Sequence, residues 1–145
     1  AVYASQWQER LAQAQGNAFQ ELEAQAMLGW AAELRQALAE ERVPAVLPAE
    51  VWAGRIGELH LVGLPFEPYG DIGLGIKRGL SPQPTMVAGY ANGLYGYCPT
   101  NWAKGQGGYG PEGSFRWFSA LLTAVGYGAA EALVKAAVAL GTENA

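Results

Sequence analysis

The sequence predicts an α/β fold, and three observations carry that prediction. A helix-forming lead-in runs up to Pro44 and Pro48, a strand–helix–strand pattern fills 56–91, and an apolar stripe at helical spacing closes the chain. A length of 145 residues suits one domain, divided into a helical lead-in over 1–43 and a core over 54–145.

The lead-in is dominated by Ala, Gln, Glu and Leu, all strong helix formers. Trp7 and Leu11 stand four apart, and beyond Gly16-Asn17 the residues Phe19, Leu22, Ala26, Trp30, Leu34 and Leu38 recur at three- and four-residue spacing. Such a stripe predicts a short helix and a long one, folded as a hairpin and packed through the stripe on the rest of the domain. The prolines then stop it. The run 56–64 is apolar and half alternating, ends at Pro65, and reads as a strand. Ile72, Ile76 and Leu80 keep helical spacing although Gly70, Gly73, Gly75 and Gly79 weaken a helix there. After the break at Ser81-Pro82, 85–91 reads as a second strand. The sum is a βαβ unit, with parallel strands joined by a right-handed crossover. A long loop dense in glycine and aromatics spans 93–114, and a helix is expected over 115–140, with Leu122, Val125, Ala129, Leu133 and Leu140 on its stripe.

Composition excludes several functions. There are 9 Lys plus Arg against 13 Asp plus Glu, a net charge of −4, and the basic residues are scattered. A nucleic-acid interface needs a concentrated basic patch. No apolar run approaches the ~20 residues that span a bilayer. The start is polar and helix-like, without the pattern of a signal peptide. It also lacks Met, so the chain is expected to be the C-terminal piece of a longer protein. Gly70, Gly73 and Gly75 invert the dinucleotide fingerprint and lie inside the crossover helix, and 105–113 lacks the Gly-Lys-Ser/Thr of a phosphate loop.

The lowest counts say most: His60 and Cys98 are the only histidine and cysteine. They exclude a disulfide framework, and they cannot supply a self-contained zinc site or more than one candidate base for a hydrolase triad. His60 lies mid-strand between Leu59 and Leu61 and reads as a core or interface residue, and Cys98 as a buried thiol.

Ligands of open α/β sheets bind beyond the carboxyl ends of parallel strands. Two segments fall there, Leu64-Pro65-Phe66-Glu67-Pro68 and Asn92-Gly93-Leu94-Tyr95-Gly96-Tyr97, so a carboxylate and several phenols meet at one rim. Glu67 precedes a proline-started helix, which leaves two readings: a capping carboxylate, or a catalytic or metal-binding one. Tyr95, Tyr97, Trp102 and Tyr109 offer rings on which a sugar or lipid could stack.

Three segments together resemble a known family: the strand ending in Leu64-Pro65-Phe66-Glu67-Pro68, the stretch Gly89-Tyr90-Ala91-Asn92-Gly93-Leu94-Tyr95-Gly96-Tyr97-Cys98-Pro99-Thr100, and Gly107-Gly108-Tyr109. Their order and spacing are similar to the C-terminal part of the catalytic domain of neutral/alkaline non-lysosomal ceramidases, including shorter bacterial relatives. Members of that family are zinc-dependent amidases that cleave the N-acyl bond of ceramide. The resemblance implies that Glu67 and Tyr97 are zinc ligands. It also implies that two histidines complete the site from an N-terminal part of the same protein, which is then this chain's partner. Tyr109 matches a recurrent tyrosine of the family, and Tyr95, Trp102 and Tyr109 are the implied contacts to a lipid amide substrate. Phe66 replaces a usual glycine and is expected to crowd the backbone near Glu67. Leu94 stands where a tyrosine is frequent, and Gly110 where an acidic residue is. On this reading the chain alone is inactive. The alternative is a non-catalytic module that grips lipid or carbohydrate with its aromatic loop and packs its helical hairpin on a partner.

Overall fold

The structure, a computed structural model, describes residues 2–117 and 121–143. Helices α1 (Val2–Gln13) and α2 (Ala18–Ala39) form the predicted hairpin. Asn17 caps α2, its side-chain oxygen accepting from the Gln20 N–H at 3.2 Å. α2 buries only part of the predicted stripe. Ala24, Met27 and Ala37 are buried, whereas Phe19, Leu22 and Leu38 are 58–70% exposed. The helix instead docks through its small residues and Trp30, whose indole N–H donates to the Leu122 carbonyl at 2.9 Å. Tyr3 and Phe115 meet the Trp30 ring edge-on at 5.5 and 5.7 Å.

The core is the mixed α/β arrangement the pattern predicts. It consists of β1 (Trp52–Ile56), β2 (Leu59–Gly63), β3 (Glu67–Pro68), α3 (Gly70–Gly79), β4 (Thr85–Ala88), β5 (Tyr97–Cys98), α4 (Asn101–Gln106) and α5 (Ala129–Glu143). One sheet has the order β1-β2-β4, with β4 parallel to β2 in the register His60↔Thr85 to Gly63↔Ala88. This is the expected βαβ unit, crossed by α3. The run 56–64 is not one strand, because Gly57, at φ +60°, turns the chain at Gly57-Glu58 and makes β1 an antiparallel hairpin partner. The second sheet is a short parallel pair, β3 with β5.

On one sheet face Val62, Leu64, Phe66, Ile72, Ile76, Leu80, Cys98, Leu133 and Ala137 form the hydrophobic core. Two of the glycines of α3, Gly75 and Gly79, face α5. A Cβ on Gly79 would stand 2.4 Å from a Val138 methyl, and one on Gly141 would stand 2.8 Å from the Leu80 methyls. Glycine there lets α3 and α5 approach closely, a gain that offsets its poor helix propensity.

Two expectations need correction. The closing helix does not begin at 115: 114–117 is a 3-10 turn, 121–128 is non-helical, and α5 starts only at Ala129. Gly128, at φ +84°, stops helical backbone from running through, so Leu122 and Val125 lie off the helix. Residues 118–120 of that predicted helix lie outside the described residues. Nor is 93–114 a structureless loop, since it holds β5, α4 and a π-helical turn at Tyr109–Gly113. Among the described residues no helix is long and apolar enough to cross a membrane.

Candidate functional site

β3 and β5 are short, but their register is specific: Glu67 pairs with Tyr97 and Pro68 with Cys98. Backbone bonds fix it, from Glu67 N–H to Gly96 O at 2.9 Å and from Tyr69 N–H to Cys98 O at 3.2 Å. Residues paired on adjacent strands point to the same face, so the carboxylate of Glu67 and the phenol of Tyr97 stand together. The neighbouring residue points the other way. Phe66 is buried at 3% exposure in the core, and it does not crowd the space beside Glu67 as the sequence suggested.

The capping reading of Glu67 does not describe this geometry. Helix α3 starts at Gly70, its N-cap is Tyr69 without a side-chain cap, and Asp71 is the acidic residue of its first turn. Glu67 faces phenols instead. Its carboxylate is close enough to the Tyr97 and Tyr90 phenols to raise the pKa of both. Tyr97 is flanked by the rings of Tyr69 at 6.3 Å and Tyr109 at 6.0 Å, both near perpendicular. The Tyr69 hydroxyl occupies the space beside Gly110, where a Cβ would lie 2.1 Å from that oxygen.

Electrostatics follow from the arrangement. Hydrogen bonding to Glu67, then burial, then the Glu67 charge push the Tyr97 phenol up to about 12, with smaller contributions from Tyr90 and Tyr109. Tyr90 is raised for the same first reason. The neutral phenol is therefore favoured by folding. Its contribution to stability is intact below the ordinary value of 10 and is lost as pH rises from there towards 12. Alkaline titration followed by tyrosinate absorbance should show one phenol ionising near 12, and Glu67→Gln should bring it down towards 10. An unchanged titration in that variant would reject the Glu67–Tyr97 contact.

Of the predicted site residues, Glu67, Tyr97 and Tyr109 come together. Tyr95 does not, because Gly96, at φ +115°, breaks the alternation between the two tyrosines. The Tyr95 ring packs on Phe66 at 5.5 Å, against the core. Trp102, on α4, is 73% exposed and stands outside the contacting rings among the described residues. The sequence reading gave no role to Tyr69 or Tyr90. The glycine and Asn-Gly signals around Tyr90 mark a turn, and that turn carries its phenol to the rim.

Glu67 and Tyr97 form a donor set that suits a hard or borderline cation. A carboxylate and an adjacent phenol both offer oxygen, and a nearby cation favours the phenolate. Glu67 also has no cationic side chain against it, the ion pair among the described residues being Arg42–Glu40. Among those residues there is no cluster of three or more His, Cys, Asp or Glu side chains that could hold a metal. His60 cannot join it. It is buried at 3% exposure near the start of β2, away from the carboxyl ends, with Nε2 unpartnered.

A large cavity lies elsewhere. About 760 Å³ in volume, it runs between the segment after α2 and the start of α5, lined by Leu47, Val51, Phe66, Leu121, Val125 and Leu133 but not by Glu67. Compared with family models, curated proteins and solved structures, the chain matches none.

Proposed function

We propose that this chain is the C-terminal portion of a ceramidase-like zinc amidohydrolase, contributing Glu67 and Tyr97 as metal ligands. The observation that carries the reading is the in-register pairing of those two residues, on one face of the parallel pair β3–β5. They are the residues that the motif resemblance nominates, and the ladder gives them a common direction. Zinc bound there with two imidazoles from an N-terminal part of the same protein would polarise an amide carbonyl and activate water.

The chain's own residues do the rest. β3 and β5 hold the two oxygens in register, and Tyr69 and Tyr109 wall the Tyr97 ring. Tyr97 carries its proton at neutral pH, so becoming a ligand requires releasing one proton. Tyr109, 60% exposed beside Tyr97, offers an exposed ring on which an N-acyl lipid could pack.

The test is hydrolysis of a fluorescent N-acyl sphingosine with Zn²⁺ present. The complete protein should turn it over, and the 145-residue chain should not. Turnover by the chain alone, abolished by Glu67→Ala, would reject the idea that the site is shared with another segment. Inactivity of the complete protein on every N-acyl lipid amide offered would reject the substrate class.

A further inference from the structure

Two stretches without helix or strand, 43–51 and 121–128, line the cavity of about 760 Å³, and the buried side chains of Phe66, Leu121 and Leu133 line it as well. The polar side chains along it are Glu33, Arg42, Thr123 and Tyr127, and the rest of the lining is apolar or glycine. Close packing leaves few voids larger than a water molecule, and an apolar void of about 150 Å³ already takes up a small apolar molecule. This volume falls inside the range of roughly 300–1,000 Å³ typical of small-molecule sites. One wall is pinned at both ends by side chains from other elements. The Trp30 indole of α2 donates to Leu122 O at 2.9 Å. At the other end α4 supplies Lys104 Nζ, which donates to Gly126 O, and Asn101 Oδ1, which accepts from Gly128 N–H at 3.0 Å. A second observation concerns the rim. Val46 on one wall is 77% exposed and Tyr127 on the other is 75% exposed, the two highest values for large hydrophobic residues among those described. Apolar side chains left uncovered on both walls of an apolar cavity mark a ligand site.

We propose that this cavity binds a single-chain amphiphile, an alkyl chain with an ammonium head, at a site separate from Glu67 and Tyr97. The inference does not rest on the zinc reading. The alkyl chain follows from the lining, and the head follows from charge. Arg42 is already neutralised, its Nε donating to the Glu40 carboxylate at 2.5 Å, whereas Glu33 has no ion-pair partner among the described residues. One positive and two negative side chains leave the mouth with a charge of −1, on a chain whose net charge is −4. Such a mouth attracts a cation and repels a carboxylate. An exposed ion pair adds little affinity, so Glu33 selects the head while burial of the chain supplies the binding.

Calorimetric titration of the complete protein with octyl-, decyl- and dodecylammonium, each below its aggregation concentration, tests the proposal. The dissociation constant should fall about fourfold for each added methylene, the factor that burying one CH₂ is worth. Dodecanoate should bind about fivefold more weakly than dodecylammonium at low salt, and the gap should narrow at high salt and in Glu33→Gln. Ala132→Trp puts a large ring into the cavity from an exposed position on α5, so little of the core is disturbed. By displacing two or more methylenes it should weaken binding by about tenfold or more. Ala139→Trp, exposed on the same helix and outside the lining, should leave binding unchanged. Glu67→Ala should bind dodecylammonium as the wild type does. Binding that ignores chain length overturns the proposal, and so does Ala132→Trp binding as tightly as Ala139→Trp. Dodecanoate binding as tightly as the amine overturns the ammonium head. Loss of binding in Glu67→Ala places the ligand at the other site and overturns the proposal too. Absence of zinc from the protein leaves every one of these expectations in place, so the two readings fail separately.

Discussion

Glu67→Ala is expected to strip zinc from the complete protein while leaving the fold intact. The metal loss follows from removing one of the two oxygen donors that this chain brings to a single face. A hydrolytic zinc supplies several kcal/mol of transition-state stabilisation, and about 4 kcal/mol corresponds to roughly 10³-fold in rate. Hydrolysis of the N-acyl substrate should therefore fall by about that factor or more. Stability should barely respond, since Glu67 is only half-buried and forms no ion pair among the described residues. Removing such a surface carboxylate is typically worth within about 0.5 kcal/mol. Tyr97→Phe should act in the same direction, because it removes the phenol oxygen and spares the ring contacts with Tyr69 and Tyr109. Elemental analysis beside thermal unfolding checks both. Wild-type zinc content and wild-type turnover in the two variants would reject the ligand assignment. Loss of zinc together with a large drop in melting temperature would mean that Glu67 is structural.

That Glu67 and the tyrosines of 92–97 would share one rim was legible from topology, but their pairing in a separate two-stranded sheet was not. A strand–helix–strand pattern places two chain segments at the same rim, and the chemistry-bearing residues of 64–68 and 92–97 could be read directly from them. What the pattern could not show was decided by single backbone angles. Positive φ at Gly96 sends Tyr95 into the core, positive φ at Tyr90 and Asn92 turns the chain past Phe66, and Gly57 converts one apparent strand into a hairpin. Periodicity averages over such residues. The closing helix failed for a related reason: apolar spacing continued through 121–128 while Gly126 and Gly128 interrupted the backbone. The α2 stripe failed differently. Hydrophobic spacing was read correctly as helical, but the face that a helix buries is chosen by its neighbours, and small residues won the contact. A similar preference for small residues explains Gly75 and Gly79 of α3, which let it close on α5.

Ile76→Ala is the second large effect, and it tests the link between that helix and the site. Ile76 is fully buried at 0% exposure, in the core with Val62, Leu64, Ile72 and Leu133. Truncating a buried isoleucine costs about 2–5 kcal/mol, and the upper half applies where surroundings cannot collapse into the space. Collapse is limited here. Gly75 and Gly79 already bring α3 against Val134 and Val138 of α5, so the helices have little room to close further. A loss of about 4 kcal/mol is a large part of the 5–15 kcal/mol typical of a domain, and at roughly 2–4 °C per kcal/mol it lowers the melting temperature by about 10 °C. Urea unfolding should show a lower midpoint with an unchanged slope. Ile56→Ala is the matched control: Ile56 is 69% exposed on β1, and its loss should cost under about 0.5 kcal/mol. A drop below about 1 kcal/mol for Ile76→Ala would reject the packing of α3 on the sheet. Because α3 begins just beyond Pro68, loosening it should also free β3 from its register with β5. Zinc affinity should then fall in Ile76→Ala and hold in Ile56→Ala, although neither residue approaches Glu67 in sequence.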